Sequence, residues 1–127
     1  MEFINTEKAP LPPGPFSHAT VIGNLVFTSG MGGLDPSTGQ VVSDDIIEQT
    51  HQALENTKSI LQAAGCTLED VVKVVVYLTD MADYPLVNKV YEQHMGGHRP
   101  ARTCVAVSAL PVRERMKLDT IAVKRGA

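Results

Sequence analysis

The spacing of apolar positions changes several times along this chain, and each change marks an element. Ile46, Thr50, Ala53, Leu54, Thr57, Ile60, Leu61 and Ala64 recur at three- and four-residue steps, with Glu48, Gln52, Glu55 and Lys58 or Ser59 opposite them. That period belongs to an amphipathic helix with one face meant for a sheet. Ser43 suits its N-cap, Asp44 and Asp45 suit its positive end, and Gly65 is a natural stop. Val71 to Leu78 is nearly continuous β-branched sequence, broken only by Lys73, which predicts a central strand. Asp83 and Pro85 open a second helix with Val87, Val90, Tyr91 and His94 on its inner stripe, and Gly96-Gly97 ends it. Arg102 to Val107 and Met116 to Val123 alternate with the period of strands, separated by Leu110-Pro111.

The N-terminal third is punctuated differently. Pro10, Pro12, Pro13, Gly14 and Pro15 make Ala9 to Pro15 a stiff extended segment that cannot be helical. Val21-Ile22 and Leu25-Val26-Phe27-Thr28 flank Gly23-Asn24, a hairpin signal. Ser29-Gly30-Met31-Gly32-Gly33 breaks the pattern, and Asp35-Pro36-Ser37-Thr38-Gly39 has the composition of a turn. The order of elements predicts an α+β fold: strand–helix units on one mixed sheet, both helices on one face. The opposite sheet face would remain apolar, and a partner subunit is the simplest cover for it.

Composition narrows the class. The chain has 127 residues, enough for a single domain over 1–127, and 43% of them are hydrophobic, enough for a core. Eleven Lys plus Arg against fourteen Asp plus Glu give a net charge of −3, mixed along the chain, with few aromatics and no tryptophan. Nucleic-acid binding calls for clustered cations and stacking rings, so no nucleic-acid partner is expected. Cys66 and Cys104 lack metal-type or CxxC spacing, and no stretch reaches the length of a membrane helix. A reducing, cytoplasmic setting without membrane contact is the expectation.

Few residues offer chemistry. Arg102 heads a predicted strand just after Pro100; it can pair with a surface carboxylate, or present a planar fork to a substrate carboxylate. Alternation puts Arg102, Cys104 and Ala106 on one face and Thr103, Val105 and Val107 on the other. Asp119 is unusual inside a strand and shares a face with Ile121 and Val123; it either faces solvent from an edge or orients or deprotonates a water. Ser29 lacks a nucleophile elbow and a base placed by spacing. The glycines from Gly30 to Gly33 precede no phosphate-loop signature, though they leave backbone N–H groups approachable. His94 and His98 are separated by the helix-ending glycines and have no third ligand, so no metal is expected. His18 and His51 read as surface or packing residues, and Cys104 as a packed thiol.

Taken together, Gly14-Pro15-Phe16, Thr28-Ser29-Gly30, Asp35-Pro36-x-Thr38-Gly39, Ala63-Ala64-Gly65, Val87-Asn88-x-x-Tyr91 and Arg99-Pro100-Ala101-Arg102-Thr103-Cys104 resemble the Rid (YjgF-type) family over nearly the whole chain. Loop lengths differ near residues 43 to 46 and 95 to 99. The resemblance implies a chorismate-mutase-like fold and a homotrimer with a cleft between each pair of subunits. Active members hydrolyse reactive 2-imino or enamine acids to 2-oxo acids and ammonia without metal or organic cofactor. Arg102 matches the carboxylate-binding arginine; Ser29, Gly30, Asn88 and Cys104 match cleft positions. Phe16 stands where deaminase members usually carry tyrosine, Asp119 where they carry glutamate, and Met31 where glutamine is common. Phe16 keeps the ring without the hydroxyl, and Asp119 withdraws the carboxylate by about 1 Å, a displacement that can cost roughly a hundredfold in rate.

Two functions follow from that likeness. The first is imine or enamine deamination, with Arg102 holding the substrate carboxylate and Asp119 beside the attacking water. The second is non-catalytic binding of small carboxylates such as 2-oxo acids by the same cleft. The family also carries an endoribonuclease label, which the acidic balance and lack of a basic patch disfavour.

Overall fold

The alternating runs pair into one mixed sheet. A computed structural model, in which residues 1–125 are described, orders β1 (Glu2–Ile4), β2 (Ala19–Ile22), β3 (Leu25–Thr28), β7 (Met116–Val123), β5 (Val71–Leu78) and β6 (Ala101–Ala106) side by side, with β4 (Met31–Gly32) also on β7. Among the described residues only the β5–β6 pair is parallel. The β2–β3 hairpin turns at Gly23, whose φ of +59° falls in the left-handed region that favours glycine. β5 is interior, flanked by β7 and the edge strand β6, and β7 spans the limits its alternation predicts.

The helices α1 (Ile46–Ala63) and α2 (Tyr84–Met95) pack against each other on one face of the sheet. The whole predicted inner stripe of α1 is buried, together with Val74, Val76 and Leu78 of β5 and Met116, Leu118 and Ala122 of β7, in one apolar cluster. Burial of that stripe is what holds the helix, since an isolated helix of this length is marginal in water. Two polar positions are buried with it. Gln49 accepts a hydrogen bond from Arg115 N (2.9 Å) and donates to Ser43 O (2.7 Å), while Asn56 donates to Gly32 O (3.0 Å) and Leu34 O (2.9 Å). These amides clip neighbouring loops to the helix, which is why they tolerate burial.

One local expectation is corrected and two short strands are added. The N-cap of α1 is Asp45, whose Oδ2 accepts from Glu48 N at 2.9 Å; Ser43 instead accepts from Asp45 N. The residues before the proline segment form β1 on β2, and the glycine-rich break contains β4, where Met31 pairs Leu118 and Gly32 pairs Lys117. Gly33 then passes so close to α1 that a Cβ would lie 2.5 Å from Gln49 Cα, an approach no larger residue permits.

The sheet face away from the helices is open and mixed rather than wholly apolar, with Lys73, Thr103, Tyr77 and Asp119 among its apolar side chains. Phe3, Ile22, Leu25, Phe27, Val72 and Val105 are all exposed on or beside it. Among the described residues no helix is long and apolar enough to cross a membrane.

Candidate functional site

Arg102 lies on the helix side of β6, beneath α2. Its Nη2 donates to Asn88 Oδ1 at 2.7 Å and to Tyr84 OH at 3.1 Å. The guanidinium carbon lies 4.8 Å from the Tyr91 ring centroid and 5.6 Å from that of Tyr84. Tyr84, Asn88 and Tyr91 share one stripe of α2 at helical spacing, so a single helix face fixes the arginine. Among the described residues no carboxylate pairs with Arg102; nearby Glu92 meets Arg99 instead, at 3.4 Å. With both Nη2 hydrogens engaged, Nε and Nη1 keep three N–H donors for a ligand. Arg102 borders a cleft of about 320 Å³ together with Asn88, Tyr91, Glu92, Arg99 and Pro100.

The cleft's other groups are set by burial. Tyr91 OH is buried without a hydrogen-bond partner among the described residues, and burial raises its pKa while Arg102 and Arg99 pull it back. Cys104, two residues along the strand, is a free thiol packed against the core. Burial raises its pKa and Arg102 lowers it, the balance leaving it above its ordinary value. A thiol in that state is protonated at neutral pH and serves as packing rather than as a nucleophile.

The other nominated residues lie elsewhere in the chain. Phe16, 45% exposed, borders a groove of about 210 Å³ with Gly30 and Met31, although Met31 is itself part of the core. Ser29 spends its hydroxyl on Ser17 O (2.6 Å) and its N–H on His18 O (2.8 Å). Asp119 accepts from Tyr77 OH at 2.8 Å on the helix-free face. That face is fixed by register: β5 pairs Val74 with Arg102 and Val75 with Asp119, and successive residues of a strand point to opposite sides. One chain therefore brings together Asn88, Arg102 and Cys104. It does not bring them to Phe16, Ser29, Gly30, Met31 or Asp119.

The contacts of several residues were not legible in the pattern. Tyr84 grips Arg102. His18 is fully buried, its Nε2 bonded to Pro10 O (2.6 Å) while Thr6 N donates to Nδ1 (3.1 Å), so Nε2 carries the proton and ties down the proline segment behind Phe16. His94 meets His51 (2.8 Å), and His98 turns away to Val71 O (2.7 Å). The glycines of β4 and its flank make room for side chains: a Cβ on Gly30 would crowd the stem of Lys117, and one on Gly32 would collide with the carboxylate of Glu114. The signal for these contacts was the G-x-G spacing itself, read as backbone access.

Comparison with known proteins places the chain. The family model described as Endoribonuclease L-PSP matches residues 6–124. A RutC family protein of Pyrococcus abyssi is 48% identical over 97% of this chain and 97% of its own length. The mouse 2-iminobutanoate/2-iminopropanoate deaminase is 44% identical over 95% of this chain and 90% of its own. The structure of Escherichia coli TdcF with bound serine superposes with a TM-score of 0.93 at 36% identity, covering 98% of this chain and all of the other. The chain belongs to the endoribonuclease L-PSP family, the YjgF or Rid proteins.

Proposed function

We propose that this chain is a hydrolase converting 2-imino or enamine acids to 2-oxo acids and ammonia, in clefts between the subunits of a chorismate-mutase-like homotrimer. The observation that carries the reading is Arg102, oriented by Asn88 and two tyrosine rings at the edge of a cleft, with no carboxylate of the described residues paired to it. Once Nη2 exchanges one of its two partners for the ligand, its edge of the guanidinium matches the carboxylate of a small acid. The deaminase name of the mouse relative and the serine bound by TdcF support the substrate class. The open sheet face, with its exposed apolar side chains, supports self-assembly. In a trimer, the groove bearing Phe16, Gly30 and Met31, with Ser29 beside Gly30, on one copy meets the Arg102 cleft of another, and Asp119 serves from a different copy than the arginine it works with. The two free cysteines fit a cytoplasmic setting.

The test is ammonia release from a 2-imino acid generated in situ. Wild type is expected to exceed the uncatalysed rate and Arg102→Ala to return to it; equal rates would end the reading. A second reading, a non-catalytic 2-oxo acid binder, draws on Asp119, which is tied to Tyr77 and on the opposite sheet face from Arg102 of its own chain. Saturable binding lost in Arg102→Ala without any turnover would select it.

A further inference from the structure

The groove bearing Phe16 and Gly30 holds a carboxylate that no step above uses. Glu114 follows the turn Pro111–Arg113, in which Val112 and Arg113 both adopt left-handed backbone, φ +48° and +61°. Neither is glycine and Val112 is β-branched, so the turn is strained, and strain of this kind concentrates at functional sites. It drives Glu114 inward until its side chain is 2% exposed. The carboxylate rests against Gly32, the position where any Cβ would strike it.

Burial there is only partly compensated. Among the described residues the Glu114 carboxylate receives no hydrogen bond, and its one charged neighbour, Lys117 Nζ, stands 3.8 Å from Oε2, beyond hydrogen-bond reach. Burial raises the carboxyl's pKa, and Lys117 draws it only part of the way back. A carboxylate so nearly buried, with its one ammonium too far away to hydrogen-bond, is costly to the fold unless its oxygens serve a ligand in the groove. The stem of Lys117 crosses Gly30 on the same groove wall, so two Cβ-free positions frame the pair.

We propose that Glu114 is the proton-transfer group of this half of the site. The substrate is taken from the deaminase reading above; the titration of the carboxyl on ligand binding does not depend on it. Water oxygen bonds to the imine carbon of the protonated imine while Glu114 takes one of its protons, and the C=N π pair moves to nitrogen. The carboxyl returns that proton to the nitrogen of the resulting carbinolamine. The C–N bond then breaks as the hydroxyl forms C=O, its proton passing through Glu114 to the departing ammonia, which leaves as ammonium and restores the carboxylate. No oxidant or metal enters the balance.

Glu114→Gln copies the protonated carboxyl in shape and charge. The experiment compares it with wild type for ammonia release and for calorimetric binding of 2-oxobutanoate, from about pH 5.5 to about 8.5. Positioned acid–base groups contribute on the order of a hundredfold or more, so turnover is expected to fall by about that factor and to lose one limb of its pH profile. Wild type is expected to take up a proton with 2-oxobutanoate and bind it more tightly as pH falls; the variant should do neither. Glu114→Asp, run alongside as a check on folding, should lose rate yet keep the limb. Wild-type turnover with an unchanged rate and profile in Glu114→Gln overturns this role while deamination stands. Proton uptake without turnover in wild type ends deamination and supports Glu114. A wild type showing neither turnover nor proton uptake overturns both.

Discussion

The hydrogen bond from Arg102 to Tyr84 leads to a prediction opposite to the usual effect of trimming a site. A carboxylate gripped by two parallel bonds needs either the Nε–Nη2 or the Nη1–Nη2 edge of the guanidinium, and both edges draw on Nη2. Asn88 and Tyr84 hold the two Nη2 hydrogens, at 2.7 and 3.1 Å. The longer bond is the one a ligand displaces. Tyr84→Phe keeps the ring beside Arg102 and removes only the competing oxygen. Bonds to charged groups are worth about 1.5–3 kcal/mol when buried. Tyr84 is 37% exposed, so water already competes for this one. Discounting to about 0.5–1 kcal/mol gives roughly two- to fivefold tighter binding of a 2-oxo acid, since about 1.4 kcal/mol is tenfold. Calorimetric titration of wild type and Tyr84→Phe with 2-oxobutanoate measures it, with Asn88→Ala expected to weaken binding. If Tyr84→Phe instead binds more than about twofold more weakly, the hydroxyl touches the ligand and the displacement argument is wrong.

Three further outcomes test the scaffold. Arg115 Nη2 bonds both oxygens of Asp83 at 2.9 Å, with side chains 38% and 9% exposed, so the two partners are not equivalent. Arg115→Met strands a buried carboxylate and should cost about 3 kcal/mol in denaturant unfolding, whereas Asp83→Asn leaves a guanidinium that water reaches and should cost about 1 kcal/mol; equal losses would refute the asymmetry. His94 has its pKa lowered by burial first, then by Lys58 and His51, with Glu55 opposing. A base with a depressed folded pKa contributes fully above its unfolded value of about 6.5 and loses stability as pH falls through that value toward the folded one, so melting should drop between about pH 7.5 and 5.5, and less so in His94→Gln. Gly33→Ala forces a methyl within 2.5 Å of the α1 backbone at Gln49, which cannot yield; we expect a loss of about 2 kcal/mol, read in the same unfolding assay.

What the sequence disclosed tracked how long each pattern ran. The α1 stripe and β7 declared themselves because eight or more positions obeyed one period, and burial followed it. The start of α1 was ambiguous because Ser43, Asp44 and Asp45 can all cap, and only the folded chain chose. β1 and β4 are three and two residues long, too short for a period, and owe their existence to neighbours across the sheet. Arg102 was legible through its motif, but its grip was not. Tyr84, Asn88 and Tyr91 form a stripe beside the apolar one on α2, and reading for hydrophobicity alone kept only Tyr91. Glu114 sits in Pro111-Val112-Arg113-Glu114-Arg115, which reads as a solvated loop; its burial comes from backbone conformations that side-chain pattern does not encode.

The pairing of β6 with β5 carries more than shape. A slip of one residue would leave the sheet hydrogen-bonded, yet it would exchange Arg102 for Thr103 beneath α2 and empty the cleft of its cation. An edge strand in a parallel pair has no hairpin to set its alignment. Here it is pinned at both ends, by His98 Nε2 on Val71 O before the strand and Val107 N on Leu78 O after it, each at 2.7 Å. Changes in loop length between α2 and β6 are therefore tolerable only upstream of His98. An insertion between His98 and Arg102 would fold normally and still be blind to its ligand.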